Sequence, residues 1–311
     1  MKNLFFFCLI GLFISCNKND SDEIKDTTLV PVQFSSATQS TRTTDGGDKW
    51  VAGDSIGIFM VKTGTTTISD NVINYRYDAT TTSSANKSGF APAANADTIY
   101  YPMDDTKVDF IAYYPYRNAQ TLTNYSIDLS NQSDPAAIDL LYGSSAVSYS
   151  EGYCKSDALN DTNLLVSLSL EHMLSKLELT VTKGAGVTDL TELTNVIITD
   201  VDTAANLNLA TGILQTVTTS DGDINTLMTT TPTATVDGAY EAILLPVSST
   251  TGVKVSFVLN GETYVWDLSN EITSFVAGKK YVYTISLNKT GVTVEGTIEP
   301  WIVESGSGEA F

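Results

Sequence analysis

The stretch 253-VKVSFVLNGETYVWDL-268 decides the fold class of this chain. Apolar residues alternate with other residues on both sides of Asn260-Gly261, and a period of two is typical of a strand with one buried face. Asn-Gly is a residue pair that favours the tight turn between two antiparallel strands. The stretch therefore predicts a β-hairpin.

The same alternation recurs along most of the chain. Short turn-forming segments such as Lys183-Gly184 separate the runs, and long helical patterns are absent. Many short strands with such turns predict an all-β fold built from β-sandwiches. Besides the two strands of the hairpin, the predicted strands are 55–61, 107–114, 125–129, 164–170, 177–182, 195–199, 240–246 and 280–287.

One segment interrupts this regularity. Residues 143–163 have the weakest strand signal and predict a domain boundary, which gives an N-terminal β-sandwich at 43–155 and a C-terminal one at 156–311. The chain is long enough for two modest domains.

The N-terminus carries an export signal. Lys2 precedes the apolar run 4–14, which is too short to span a bilayer in a helix but fits a secretory signal. The run ends in 13-FISC-16, which resembles a bacterial lipoprotein box, so we expect residues 1–15 to be removed and Cys16 to be lipidated. The alternative is an ordinary signal peptide with an incidental cysteine.

The charge of the chain excludes one class of partner. There are 36 acidic against 17 basic residues, and the formal net charge is −19. An acidic exterior repels phosphate backbones, so no nucleic-acid partner is expected. The acyl chain at Cys16 would then be the membrane attachment. After loss of the signal and lipidation of Cys16, Cys154 remains alone, so no intrachain disulfide is expected.

The residue types needed for catalysis are scarce, so neither an enzyme nor a cofactor is expected. His172 is the only histidine, and among alternating apolar residues it fits a structural role better than that of a catalytic base. The chain lacks ligands for a zinc site and has no phosphate-binding glycine loop. Two pairs of aspartates, Asp200 with Asp202 and Asp221 with Asp223, could bind calcium weakly, although solvated turns explain them better.

Two segments are rich in tyrosine, 99-IYYP-102 and 112-AYYPY-116. Aromatic residues are common on strands because they fill a half-buried pleated surface. Core packing is therefore the preferred interpretation, and binding of a glycan by exposed tyrosines such as Tyr114 or Tyr116 is the alternative.

A polar segment after Cys16 leads into another strand. Residues 17–28 predict a flexible tether. In 29-LVPVQF-34 the apolar residues Val30, Val32 and Phe34 alternate with others. Pro31 has no amide proton, so this strand should lie at a sheet edge or form few ladder bonds there. The following residues, 35–49, predict a loop.

Six motifs are spread along the chain: 49-KWVAGDSIGIFM-60, 107-KVDFIAYYPY-116, 135-PAAIDLLYG-143, 172-HMLSKLELTV-181, 277-AGKKYVYTISL-287 and 299-EPW-301. Together they resemble the fimbrillin-like proteins of Bacteroidales. The resemblance runs from about residue 29 to the end of the chain. It implies two tandem transthyretin-like Greek-key β-sandwich domains. It further implies a structural or adhesive subunit of a type V pilus, exported as a lipoprotein to the outer membrane, from which an arginine-specific surface protease removes an N-terminal strand.

Arg42 is the expected cleavage site. It lies in 38-TQSTRTTDGGDKW-50, a Ser/Thr/Gly-rich stretch of the kind that a protease can thread into its cleft. The other arginines, Arg76 and Arg117, lie in or beside predicted sheet. Lys49 is the alternative for a less selective protease. Cleavage after Arg42 would remove residues 16–42, which include the tether and the strand.

Removal of that strand would uncover an apolar groove with unpaired backbone groups, which the strand of another pilus subunit could fill. The donor candidate is 291–311, in which Val292, Val294 and Ile298 alternate and Trp301 could fill an end pocket. If the donor folds back on its own domain instead, a tip or accessory subunit is expected. The competing hypothesis is a surface lipoprotein that binds a host or bacterial glycan or protein and never polymerises.

Overall fold

The computed structural model describes residues 28–38, 50–80, 87–161, 163–217 and 221–301. Strands dominate these residues, which confirms the all-β prediction. Three short α-helices and two 3-10 helices connect some of the strands; they are α1 (Pro135–Ile138), α2 (Ser145–Ser148), α3 (Lys155–Asn160), η1 (Asn95–Asp97) and η2 (Leu268–Asn270). Within the same ranges, no helix has the length and hydropathy needed to cross a membrane.

The first part of the chain forms a closed barrel. Seven strands pair in the order β1-β4-β3-β2-β5-β7-β8 and back to β1. Their bounds are β1 (Phe34–Thr38), β2 (Ser55–Lys62), β3 (Tyr75–Ala79), β4 (Lys87–Pro92), β5 (Val108–Tyr114), β7 (Leu141–Ser144) and β8 (Val166–His172), and β6 (Tyr125–Asp128) lies outside the ring. Buried residues between Val32 and Leu170 fill one hydrophobic cluster.

The second part of the chain contains three sheets. Five strands pair in the order β14-β15-β9-β18-β19, four in the order β13-β10-β16-β17, and three in the order β12-β11-β6. The strands not yet given are β9 (Ser175–Lys183), β10 (Leu193–Asp202), β11 (Ala204–Asn208), β12 (Ile213–Thr216), β13 (Asp221–Asn225), β14 (Leu227–Thr230), β15 (Gly238–Leu244), β16 (Lys254–Leu259), β17 (Glu262–Asp267), β18 (Lys279–Asn288) and β19 (Gly291–Pro300).

The five-stranded and four-stranded sheets share one core. Trp266 of β17 contacts Tyr283 of β18, with ring centroids 5.2 Å apart. Leu179 of β9 and Phe257 of β16 belong to the same buried cluster. Each sheet therefore buries one face against the other, as the alternating sequence requires.

All ten strands expected from period-two alternation after residue 50 are present. The Asn-Gly hairpin is present too, because Asn260 and Gly261 join β16 to β17 with φ angles of 53° and 80°. Both angles lie in the left-handed region that the tight turn requires and that asparagine and glycine tolerate best.

The strand expected at 29–34 lies further along the chain. The strand β1 spans Phe34–Thr38, and residue 31 forms only an isolated bridge to Tyr100. The loop predicted at residues 35–49 therefore starts too early in the sequence prediction, because residues 35–38 belong to β1. Of the two alternatives expected from Pro31, the one with few ladder bonds agrees with the structure, because residue 31 forms only that bridge. The strand β1 itself does not lie at an edge, because it pairs with β4 on one side and with β8 on the other. Serine and alanine can occupy an internal strand here since both neighbouring strands supply ladder partners.

Pairing also joins residues on the two sides of the predicted boundary at 155. The strand β8 completes the barrel by pairing with β1, and β6 pairs with β11. The segment 143–163 begins with the last two residues of β7 and then contains the helices α2 and α3. The division at 155 stays a prediction, and any such division has to place β8 with the barrel.

Candidate functional site

The strand β1 fills a slot between β4 and β8. It runs antiparallel to β4, with Phe34 opposite Phe90, and parallel to β8, with Phe34 beside Val166. Three residues of alternating position, Val32, Phe34 and Ser36, are 5%, 2% and 0% exposed. The slot is therefore a continuous buried channel that takes every second side chain of this segment.

Phe34 is the central side chain in the slot. Its ring lies edge-on to Tyr77 at 5.1 Å and edge-on to Phe110 at 5.0 Å between centroids. Such edge-to-face pairs stabilise by about 0.5–1.5 kcal/mol beyond the burial of apolar area. Phe34 thus links β1 to β3 and β5 across the barrel interior.

Backbone hydrogen bonds hold the segment that precedes β1. The amide of Tyr101 donates to the carbonyl of Val30 at 3.0 Å, and the amide of Val32 donates to the carbonyl of Ile99 at 2.9 Å. On the other side, the amide of Val166 donates to the carbonyl of Gln33 at 2.9 Å. Proline at position 31 does not interrupt this pattern, because the hydrogen bonds use the carbonyl of Val30 and the amide of Val32 and need no amide at position 31. Val30 is only half-buried at the end of the slot.

The chain leaves the slot after Thr38 and is described again from Trp50. The indole of Trp50 is 1% exposed and lies edge-on to Phe90 at 5.1 Å, so the returning chain is anchored beside β4. The expected cleavage site Arg42 and its alternative Lys49 lie outside the described residues, as does Cys16.

The other two arginines belong to folded parts of the chain. Arg76 lies in β3, and its Nε atom is 2.8 Å from a carboxylate oxygen of Asp78. The Arg117 guanidinium lies 3.9 Å above the ring centroid of Tyr125. Both arginines thus lie in or beside the sheets, as expected, and cleavage at either would require local unfolding.

The donor candidate forms β19 and pairs with β18 of its own chain. The ladder is continuous from Gly291 opposite Asn288 to Pro300 opposite Lys279. In contrast, the side chains of β19 are poorly buried, because only Val292 and Val294 are half-buried. Ile298 is 51% exposed in this arrangement, and its place in a donated strand stays a prediction.

Trp301, directly after β19, is the one well-buried side chain at this end. It is 3% exposed, and its ring stacks on His172 with centroids 3.7 Å and planes 7° apart. His172 Nδ1 lies 2.6 Å from Oδ1 of Asp139. Trp301 therefore packs at the end of β8 within its own chain. The remaining donor residues, 302–311, lie outside the described residues.

His172 and Asp139 are a structural pair. Their side chains are 0% and 1% exposed, and neither His172 Nε2 nor Asp139 Oδ2 has a hydrogen-bond partner. Without access to solvent, the pair cannot activate a nucleophile for an external substrate. Asp139 directly follows the end of α1, and the stacking of His172 on Trp301 ties the barrel to the C-terminal strand.

The aspartates considered for calcium lie in strands. Asp202 of β10 is opposite Asp221 of β13. Burial raises the pKa of Asp202, and the hydrogen bond with Asp221 and its charge add to this. Among the described residues, no group of three or more His, Cys, Asp or Glu side chains could hold a metal ion.

The tyrosines mostly fill the core. Tyr101, Tyr113 and Tyr114 are 2%, 0% and 3% exposed, so Tyr114 is not available to a glycan. Tyr116 is half-buried beside Asn118 and Gln120 in an open cleft of about 480 Å³. Of the two tyrosines named for glycan binding, only Tyr116 is accessible. Glycan binding stays an alternative on that basis.

Sequence reasoning missed Ser36 and the receiving residues Tyr77 and Phe110. Ser36 is polar, and an isolated serine gives no signal of burial. Its spacing of two from Val32 and Phe34 was the available signal, because alternation places all three on one face.

Comparison with known proteins places the chain among fimbrial and adhesion proteins of Bacteroidales. The sequence profile described as Fimbrillin-like matches residues 41–301. A Bacteroides uniformis protein described as a candidate fimbrium subunit, Fim1C, is 36% identical over 269 residues, which cover 84% of this chain and 81% of that protein.

Solved structures give the same fold. A candidate cell adhesion protein from Bacteroides uniformis superposes with a TM-score of 0.71 and 31% identity, over 87% of this chain and 98% of that one. A candidate cell adhesion protein from Bacteroides ovatus has a TM-score of 0.66 and 18% identity, over 89% of this chain and 99% of that one. At the latter identity, the likeness concerns the fold alone.

Proposed function

This chain belongs to the fimbrillin-like family, and we propose on that premise that it is a fimbrial subunit assembled by strand exchange. As a fimbrial or adhesion protein it is part of a cell-surface appendage and contacts other pilin subunits. In the proposed pathway the chain is exported as a lipoprotein through Cys16 to the outer membrane. An arginine-specific surface protease then cuts after Arg42.

The position of β1 carries this proposal. The cut at Arg42 would fall four residues after Thr38, the last residue of β1, and would leave residues 28–38 held only by non-covalent contacts. Val32 and Phe34 would leave a buried channel on departure. Burial of each such side chain is worth roughly 1.5–3 kcal/mol, so an empty slot strongly favours another apolar strand.

Loss of β1 would also leave two unpaired strand edges. Both β4 and β8 form ladders with β1, so their unpaired amides and carbonyls would face each other across a gap in the barrel wall. An incoming strand would restore both ladders at once, which a strand added at an ordinary sheet edge cannot do.

The C-terminal strand β19 is the proposed donor. It is already extended over ten residues, and it has one free edge, because it is the last strand of its sheet. Because donor and acceptor lie at different ends of the chain, the contact is head-to-tail and builds a filament rather than a closed ring.

The test is proteolysis of the full-length chain. An arginine-specific protease should make one cut after Arg42, followed by polymers that resist dissociation in mild detergent. The variant Arg42→Ala should show neither, whereas Arg76→Ala and Arg117→Ala should behave as the parent does. Cleavage and polymer formation by Arg42→Ala at the parent's rate would contradict the proposal.

A further inference from the structure

We propose that the slot of β1 sets the register of the incoming strand through the place of Ser36, and that Gly296 of a second copy takes that place. This inference rests on the proposed strand exchange and adds to it a rule for which residues face the barrel. The incoming strand must present two apolar residues and then a small one at alternate positions.

Ser36 is the smallest of the three side chains that the slot buries. It is 0% exposed, and its hydroxyl oxygen is buried without a hydrogen-bond partner. Its ladder neighbours are Ser88 on β4 and Leu168 on β8, and Leu168 is itself 0% exposed. The site is therefore fully enclosed around a small side chain, and it leaves the serine hydroxyl without a hydrogen bond. Overpacking a closed site is costly, so we infer that it takes a small residue and that glycine suits it at least as well as serine.

The strand β19 has the required pattern. Its residues Val292, Val294 and Gly296 have the same spacing as Val32, Phe34 and Ser36. In this register the two valines take the places of Val32 and Phe34, and the glycine takes the place of Ser36. The direction is that of β1, parallel to β8 and antiparallel to β4.

Gly296 is already constrained in its own sheet. A Cβ atom at this position would lie 2.3 Å from Cδ1 of Tyr283 on β18. The ring of Tyr283 thus covers the backbone of β19 where a side chain would stand. The absence of a side chain at Gly296 would therefore suit β19 both when it pairs with β18 of its own chain and when it fills the slot of a second copy. This explains how one strand can pair in two places.

A second run, 301-WIVES-305, has the same order of apolar, apolar and small residues. It would place Trp301 where Val32 lies and Val303 where Phe34 lies. Trp301 is buried on His172, and an indole is much larger than the valine that fills this part of the slot. The structure therefore favours β19, and the two registers make different predictions.

The register can be read by disulfide cross-linking between two full-length chains whose natural cysteines are replaced by alanine. In the proposed register, Glu295 takes the place of Ser35, directly opposite Gly89 of β4. Gly89 is exposed, and a Cβ atom there would meet only Thr80 Oγ1 at 3.3 Å. The acceptor is the cleaved Gly89→Cys chain, and the donor is an uncleaved Arg42→Ala chain whose own slot is still filled. Acceptor chains can also take β19 from one another, but that strand carries no cysteine in them, so only a donor chain yields the disulfide-linked pair that is measured.

The donor Glu295→Cys should form the cross-linked dimer at least 10-fold faster than the matched donors Thr293→Cys and Thr297→Cys. Faster cross-linking by either of these, or by Glu304→Cys, which reports the second run, would overturn the register while strand exchange stands. If no donor associates with the cleaved chain at all, strand exchange itself fails.

A peptide competitor tests the size limit without disturbing the sheet that contains Tyr283. A synthetic peptide of residues 289–300 should bind the cleaved chain and block dimer formation. The same peptide with Gly296→Leu should be at least 10-fold weaker, and the peptide with Thr297→Leu, which faces outward, should not. Equal inhibition by the Gly296→Leu peptide would overturn the size rule.

Discussion

Trp301 lies flat against His172, with ring centroids 3.7 Å apart and ring planes 7° apart. The amide of Trp301 also donates to the carbonyl of Gly278 at 2.8 Å. This contact is the main apolar anchor of the C-terminal strand, because the side chains of β19 itself are mostly exposed. Apart from the backbone ladder with β18, the retention of β19 therefore depends mainly on this one ring.

Replacing that ring should loosen the C-terminal strand. We expect Trp301→Ala to lower the free energy of unfolding by about 3–4 kcal/mol, as is typical of a buried tryptophan. Urea denaturation measures this change, and hydrogen exchange should show faster exchange at amides of β18 and β19. The matched control is Ile298→Ala, which is 51% exposed at the end of the same strand and should change stability by less than about 0.5 kcal/mol. Equal effects of the two variants would show that Trp301 is not the anchor.

Phe34 gives a prediction that depends on the state of the chain. Phe34→Ala removes a ring that touches Tyr77 and Phe110, and should destabilise the uncleaved chain by about 3–4 kcal/mol. After cleavage at Arg42 and departure of β1, parent and variant are the same molecule, so their polymers should have equal thermal stability. Gln33→Ala is the control, since that side chain is exposed. A difference that persisted between the polymers would mean that β1 had stayed in place.

The carboxyl pair Asp202 and Asp221 gives a pH prediction. Burial, with help from Asp221, raises the pKa of Asp202 above its ordinary value of 3.8. A raised pKa in the folded state means that the folded chain binds this proton more tightly than the unfolded chain does, so protonation of Asp202 stabilises the fold. That stabilisation is complete below pH 3.8 and is lost as the pH rises through the folded-state pKa. Asp202→Asn mimics the protonated form.

We therefore expect Asp202→Asn to stabilise the chain by up to about 1 kcal/mol at neutral pH, because the pair is partly screened by solvent. Below the ordinary carboxyl pKa, the variant and the parent should melt together. Thermal melts at several pH values measure the difference. The control is Asp223→Asn, which is exposed on β13, the strand of Asp221. A variant that destabilises the chain at neutral pH would show that the Asp202 carboxylate is needed there.

Alternation of apolar residues was enough to predict the strands with one buried face. It succeeded for β16 and β17, where Val255, Phe257 and Trp266 alternate and Asn260-Gly261 marks the turn. It failed for 35-SSAT-38, because three of these four residues are polar and nothing in the sequence shows that Ser36 is buried. Burial there comes from two flanking strands, which local sequence does not encode.

Long-range pairing was the second limit. The parallel ladders of β1 with β8 and of β9 with β18 join segments more than a hundred residues apart. Apolar pattern fixes which face of a strand is buried but not which strand lies beside it. For the same reason the sequence marked Trp301 as apolar and did not reveal that His172 is its partner.

The closed ring of ladders around the first barrel has a consequence for timing. Within the described residues of that ring, every strand has a neighbour on both sides, so the intact chain presents no open edge there to another copy. Crowding during export would then not start polymer growth at this barrel, however concentrated the chain becomes. If growth depends on vacating the slot, its onset is governed by an irreversible covalent event at the cell surface. The rate of peptide-bond hydrolysis, rather than the concentration of the chain, then determines when fibres appear.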